Sequence, residues 1–288
     1  MDKMKNTKVL IFGASGMLGH KLYQIFREKG FDTYGTIRGS IEKYKQFNIF
    51  DEKKIIQNLD IINTGEVKAA FGRIRPEIVI NAVGLVPKTC TDPVEAIKFN
   101  SLFPHQLASM CREYNAKLVQ ISTDCVFSGK KGNYSENDTP DADYLYGRSK
   151  LLGEVIYDNH LTIRTSIIGK ELLGQHGLVE WFLSQKGTIN GYTKAIFTGL
   201  TTAELGRVLT EIAEKPEIKG LLNISTEEID KFSLLKMVQK EFGKDDIEIL
   251  PYDEFVCDRS LNNSRMKSLG ITVKNYPEMI KELSEEKY

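Results

Sequence analysis

The stretch KVLIFGASGMLGHKLYQIFREKG, beginning at Lys8, narrows the choice of fold more than any other part of the chain. A short apolar run passes straight into Gly13, Gly16 and Gly19, spaced three apart, and an amphipathic helical pattern starts there. Glycine suits a turn that needs positive φ, a backbone that must approach a pyrophosphate, and a helix packed closely on a strand. The helix N-terminus then offers amides and a partial positive charge to the phosphates. The spacing differs from G-x-G-x-x-G, and an isolated glycine triplet is also what a plain tight turn looks like. Set between a first strand and an amphipathic helix, it reads as the pyrophosphate turn of a dinucleotide site.

The same alternation continues down the chain. FDTYGTI, EIVINAV, KLVQIST and LTIRTSI are short runs crowded with apolar and β-branched residues and cut off by polar or glycine residues, as buried strands are. Between them lie segments such as PVEAIKFNSLFPHQLASMCREYN, whose apolar residues recur at three and four. Strand–helix repetition implies an α/β fold with a doubly wound parallel sheet. After Gly169 the rhythm breaks, although GLTTAELGRVLTEIAEK still reads as a helix and GLLNIS as a further strand. The expected division is a Rossmann-type dinucleotide domain over 1–168 plus 192–226, and a smaller mixed substrate lobe over 169–191 plus 227–288.

Composition removes several function classes. The 288 residues carry 39 basic and 39 acidic side chains spread along the chain, which argues against nucleic acid or an anionic membrane as the main partner. No stretch approaches the roughly 20 apolar residues of a membrane span, and the first apolar run is too short for a signal peptide. Cys90, Cys111, Cys125 and Cys257 show no C-x-x-C spacing and no histidine nearby, which suits reduced thiols in a cytoplasmic protein better than a metal site or a disulfide framework.

Cofactor preference is normally decided at the end of the second strand, where a carboxylate bonds a ribose 2′-hydroxyl and an arginine suits a 2′-phosphate. Here YGTIRGS supplies Arg38 and no carboxylate before Glu42, which favours NADPH and leaves NADH as the lesser alternative. Further on, YLYGRSKLLGE places Tyr146 and Lys150 one helical turn apart, so both can face one crevice. An adjacent ammonium lowers a phenol's pKa by stabilising the phenolate, making the tyrosine a better acid. QISTDCVFSG adds the hydroxyls of Ser122 and Thr123 at a strand end, where an open parallel sheet binds its ligands.

With these residues in hand, the chain resembles the extended short-chain dehydrogenase/reductases, and within them the dTDP-4-dehydrorhamnose reductase branch. The likeness spans nearly the whole chain and rests on GASGMLG, RPEIVINAVG, STDCVFSGKKGNYSENDTP followed by YGRSKLLGE, IRTSIIG, TGLTTAEL and DRSLNNSRM. It implies reduction of the C4 ketone of a nucleotide-linked 4-keto-6-deoxy sugar by a nicotinamide. By position, Tyr146 would protonate the C4 oxygen, Lys150 would assist it and bind the nicotinamide ribose, and Thr123 would hydrogen-bond the substrate oxygen. Gly13, Ser15, Gly16, Met17, Leu18 and Gly19 would take the pyrophosphate, and Asp60 and Ile61 the adenine. Asn81, Ala82 and Val83 would line the cofactor, with Thr165, Ser166 and Ile167 beside the carboxamide. Lys88, Asp124, Thr201, Arg259 and Asn262 fall where the branch handles sugar or diphosphate.

The departures from the branch bear on the sugar. Cys125 stands where a tyrosine is usual and is read as shaping the pocket together with Ser122. EKYKQFNIFDEKKIIQN is extra sequence, and Thr198–Thr201 replaces a G-x-P-T. A UDP-linked 2-acetamido-2,6-dideoxy-4-hexulose for surface polysaccharide is therefore weighed beside the dTDP sugar. Two rivals stay open, a nucleotide-sugar epimerase or dehydratase of the same superfamily and a non-catalytic NADP-binding regulatory subunit. The partner expected is the nucleotide sugar, with a homodimer left open.

Overall fold

The structure, a computed structural model, describes residues 6–174 and 177–287. In chain order these form β1 (Lys8–Phe12), α1 (Met17–Glu28), β2 (Asp32–Thr36), β3 (Ile55–Ile56), α2 (Thr64–Ile74) and β4 (Ile78–Asn81). There follow α3 (Pro93–Ala96), a π-helical turn (Ile97–Leu102), α4 (Phe103–Glu113), β5 (Lys117–Ile121), α5 (Leu145–Leu152), β6 (Leu161–Arg164), β7 (Ile167–Ile168) and α6 (Leu178–Ser184). The remainder comprises β8 (Gly187–Phe197), β9 (Leu200–Thr201), α7 (Thr202–Ala213), β10 (Gly220–Asn223), β11 (Ile229–Asp230), α8 (Lys231–Glu241), β12 (Ile247–Asp258), α9 (Ser264–Ser268) and α10 (Tyr276–Glu285). None of these helices is long and apolar enough to cross a membrane.

Seven strands make one sheet in the order β10-β6-β5-β4-β1-β2-β3. Each adjacent pair in it is parallel. The chain winds outward from β1 to β3, then returns to β4 and winds the other way, so the order reverses between β1 and β4. Loops leaving the carboxyl ends of these two strands diverge there and open a crevice for ligands.

The strand period shows how the sheet is held. Val9 and Ile11 of β1 belong to the core on one face, with Leu22 and Phe26 of α1 and Val208 of α7. Leu10 and Phe12 point to the other face, where Phe71 of α2 and Leu107 of α4 cover them. Phe12 stacks edge-on against Phe103 with ring centroids 5.6 Å apart. Alternation of this kind needs apolar residues at every position of the strand, which is why KVLIF is a continuous run. Each such side chain contributes roughly 1.5–3 kcal/mol on burial.

Three details differ from what the sequence suggests. The extra segment after β2 is not simply an insertion, because Ile55 and Ile56 pair with Gly35 and Thr36 as the sheet's edge strand. The helical pattern of 93–115 is interrupted by the π-turn. β8 is a single strand that pairs antiparallel with β11 and parallel with β12 in a separate sheet. The boundary expected at 191/192 falls inside it. We place the whole of 187–197 with the smaller lobe.

Candidate active site

At the β1–β4 switch lies a cleft of about 460 Å³. Its floor on one side is the turn after β1. Gly16 caps α1 with no side-chain acceptor on its amides, so the helix start is left to a ligand. A Cβ on Gly19 would stand 2.0 Å from the Gly13 carbonyl oxygen, so only glycine lets the helix press this closely on the turn. Gly16, Met17 and Leu18 line the cleft, and Ala82 and Val83 face them from the end of β4. A dinucleotide pyrophosphate fits this arrangement of uncapped amides beside a glycine-rich turn.

Opposite are the residues expected to react. Thr123, Tyr146 and Lys150 line the same cleft, as do Ser122, Asp124, Cys125 and Thr165–Ile167. α5 is brought there by close contact with the short turn Asp124–Val126 that follows β5. Tyr144, at its N-cap, donates its hydroxyl to the Cys125 carbonyl at 3.0 Å. A Cβ on Gly147 would come within 2.3 Å of that same carbonyl oxygen, so the glycine of YGRSK sets the distance at which Tyr146 and Lys150 meet the β5 end.

The electrostatics depart from the sequence reading in one respect. Lys150 is buried and donates its ammonium to the Ile121 carbonyl at 2.7 Å. Burial pushes its pKa down to about 8, with Glu154 opposing. The Tyr146 phenol is pushed up, chiefly by burial and then by Cys125, while a hydrogen bond with Thr123 pulls the other way. The ammonium is turned to the strand, and the phenol is held fully protonated at neutral pH.

Behind the cleft is a network that sequence reasoning missed. Ser122 donates to Glu154 at 2.8 Å, and Arg164 grips the Glu154 carboxylate with two bonds of 2.8 and 2.7 Å. Ser122 is thus engaged below the cleft, and Thr123 is the nearer hydroxyl to Tyr146. The π-turn is the second omission. Asn100 accepts from the Leu85 amide at 2.8 Å and donates to Ser149 at 3.0 Å, and Ser101 donates to the Ser149 carbonyl at 2.8 Å. One wide turn therefore ties the loop after β4 to the helix carrying Tyr146 and Lys150. Irregular helical turns often sit at functional sites, but nothing in the apolar spacing of 93–115 marks one.

Other expected residues lie outside the cleft. Thr201 is buried and caps α7, its hydroxyl accepting from the Glu204 amide at 3.3 Å. Asn262 is likewise occupied, since its side chain bonds Asn133 at 3.1 Å and the Ser264 amide at 2.9 Å. Asn81 is wholly buried, bonding Gln120 at 2.7 Å and the Val83 amide at 3.1 Å, so it shapes the β4 loop rather than lining it. Asp60 is exposed and accepts from the Ile62 amide at 3.0 Å, with Ile61 half-buried beside it. Ser15 and Arg38 stand near the β1 and β2 ends, Arg38 exposed, and Lys88 is exposed on the β4 loop. Arg259 bonds the Phe127 carbonyl at 2.9 Å and lies 3.7 Å from the Cys125 sulfur. Burial and Asp124 push the Cys125 thiol up to about 12, so it is no nucleophile at neutral pH.

Comparison with known proteins agrees with this architecture. A family model described as the RmlD substrate binding domain matches residues 7–271. Methionine adenosyltransferase 2 subunit beta from Bos taurus is 25% identical over 289 residues, covering 92% of this chain and 83% of that protein. A dTDP-4-dehydrorhamnose reductase from Streptomyces griseus is 31% identical over 174 residues, 58% of this chain and 51% of its own length. The crystal structure of dTDP-4-dehydrorhamnose reductase from Bacillus anthracis in complex with NADP superposes with a TM-score of 0.79 at 22% identity, covering 96% of this chain and 98% of that one. The last likeness speaks for the Rossmann-type fold.

Proposed function

The chain belongs to the RmlD substrate binding domain family, and from that premise we propose that it is an NADPH-dependent reductase of the C4 ketone of a nucleotide-linked 4-keto-6-deoxy sugar, a precursor of surface polysaccharide. The observation that carries the proposal is the meeting of Thr123, Tyr146 and Lys150 in one cleft with the uncapped start of α1. Bound there, the nicotinamide would supply the hydride. Gly13 to Gly19 would hold the pyrophosphate, and Arg38, exposed after β2, would meet the 2′-phosphate. Thr123 donates a hydrogen bond to the ketone oxygen. Tyr146, kept protonated by burial, gives its proton to that oxygen as negative charge develops. Lys150 carries a positive charge below about pH 8, and stabilises the phenolate left behind.

The test is to incubate the protein and NADPH with a panel of dTDP- and UDP-linked 4-keto-6-deoxy sugars, including the 2-acetamido sugar, and to identify the reduced product. NADPH oxidation with a C4 alcohol product is expected. Failure across the panel would sink the assignment. A second reading, a non-catalytic subunit, is favoured by the match to methionine adenosyltransferase 2 subunit beta across most of both chains. It predicts no turnover on any sugar and a stable complex with a methionine adenosyltransferase catalytic chain.

A further inference from the structure

Lys150 and Glu154 leave their helix on the same side and end on neighbouring residues of one strand. The helical path continues past α5, because the Gly153 amide bonds the Lys150 carbonyl and the Glu154 amide bonds the Leu151 carbonyl, both at 3.1 Å. Side chains four apart on such a path fall on one face. Lys150 reaches the Ile121 carbonyl, and Glu154 accepts from the hydroxyl of Ser122, the next residue. A Cβ on Gly153 would stand 1.8 Å from the Asn100 carbonyl oxygen, so contact with the π-turn fixes where this last turn runs.

Stability is a poor account of the ion pair that Glu154 makes with Arg164. The two side chains are 6% and 3% exposed, and at such depth desolvation offsets most of the attraction. The guanidinium lies over the Phe127 ring at 5.1 Å, and its Nη1 makes no hydrogen bond among the described residues. What the pair acts on is Lys150. Burial pushes that ammonium down and the charge of Glu154 opposes it, while Arg164 stands against Glu154 from β6 and offsets its charge. The other titratable groups about Lys150 are Tyr146 on its own helix, Asp124 and Cys125 on the turn after β5, and Cys90 beside Ser149.

We infer that Glu154 is the positioning residue for Lys150 and that Arg164 sets how strongly it acts, so that the cleft keeps a charged ammonium where the phenolate left by Tyr146 needs one. The inference deepens the reductase reading and rests on it for the phenolate. The action of Glu154 on Lys150 stands on their shared helical face and their adjacent anchors on the strand. Glu154 touches no ligand in this scheme. It lies behind the cleft and reaches the chemistry only through Lys150 and Ser122.

The test follows the titration of Lys150 by NMR of lysine labelled at Cε, the resonance being assigned by its loss in Lys150→Met. Glu154→Gln should lower the midpoint by about one pH unit or more, and Arg164→Met should raise it, because one removes the negative charge and the other the positive charge that offsets it. Each variant leaves half of a buried pair, so a purely structural role would move both titrations the same way. Should Glu154→Gln not fold, the double variant Glu154→Gln/Arg164→Met leaves no lone charge and takes its place, with Arg164→Met as its reference. An unmoved midpoint on loss of Glu154, or shifts of the same sign in Glu154→Gln and Arg164→Met, would overturn the inference. On an identified sugar, the alkaline limb of turnover should move to lower pH in Glu154→Gln. The two proposals fail separately. Opposite titration shifts without turnover of any sugar ketone sink the reductase reading alone; turnover with Lys150 titrating as before in Glu154→Gln sinks this one alone.

Discussion

The two walls of the cleft are made of different material. On the β1–β4 side the groups that face a ligand are backbone, the amides at the uncapped start of α1 and a turn whose glycines admit no side chain. On the other side they are side chains, Thr123, Tyr146 and Lys150, contributed by the end of β5 and by α5. Backbone machinery is local and encoded in a few consecutive residues. Side-chain machinery is drawn from separate segments, the end of β5 and the later helix α5, and depends on how that helix is laid against the sheet. Substitutions on the two walls should accordingly separate into those that alter chemistry or sugar and those that alter cofactor.

The largest expected effect is on the side-chain wall. Tyr146→Phe should fold and bind NADPH normally but lose about 10²–10⁴-fold in turnover, the usual worth of a general acid, as read by steady-state kinetics on the identified sugar. Retained turnover would mean that another group donates the proton. Next comes the cofactor wall, where Arg38→Ala should narrow the NADPH over NADH preference by about tenfold or more, since a charge-assisted arginine–phosphate contact is lost. Titration of both cofactors decides it, and equal affinities in the unaltered protein would remove Arg38 from the site.

Arg259→Lys keeps the charge and loses the fork, so the KM for the sugar should rise by a few-fold with NADPH affinity unchanged. A parallel loss of NADPH would erase the distinction between the walls. The smallest effect concerns pH. Lys150 has a folded pKa of about 8, below its unfolded value of about 10.4, so above pH 8 the unfolded chain holds more protons and stability rises with pH. The gain should be about 1 kcal/mol or less between pH 8 and 9. Above that the buried Cys125 thiol, pushed up to about 12, acts in the opposite sense. Denaturant titrations should show the rise, and Lys150→Met should remove its share while the part due to Lys231, likewise pushed down to about 8 by burial, remains.

Legibility followed the same division. The sheet's strands were readable because KVLIF, EIVINAV and KLVQIST are buried on both faces and so are continuously apolar, and the glycine turn because its spacing has a steric cause. β3 was not, since two isoleucines at a sheet edge carry no periodic signal. Tyr146, Lys150 and Thr123 were found as a helical pair and a strand-end hydroxyl, and the fold brings them together. Thr201 shows why the outer residues are harder to read, since a threonine before an apolar helix can equally be its cap, and here it is.

The π-turn at Ile97–Leu102 carries a consequence for how this chain can vary in length. A π-turn holds one residue more than the α-helical path it interrupts. Deleting a single residue there would not yield one regular helix over 93–113, because Pro104 lacks an N–H and its ring crowds the preceding turn. It would rotate one flank against the other by about 100°, carrying Asn100 away from Leu85 and Ser149. Elsewhere on a surface helix such a loss is absorbed by a neighbouring loop; here the turn also carries the bonds that seat α5, so a chain shorter by one residue would shift Tyr146.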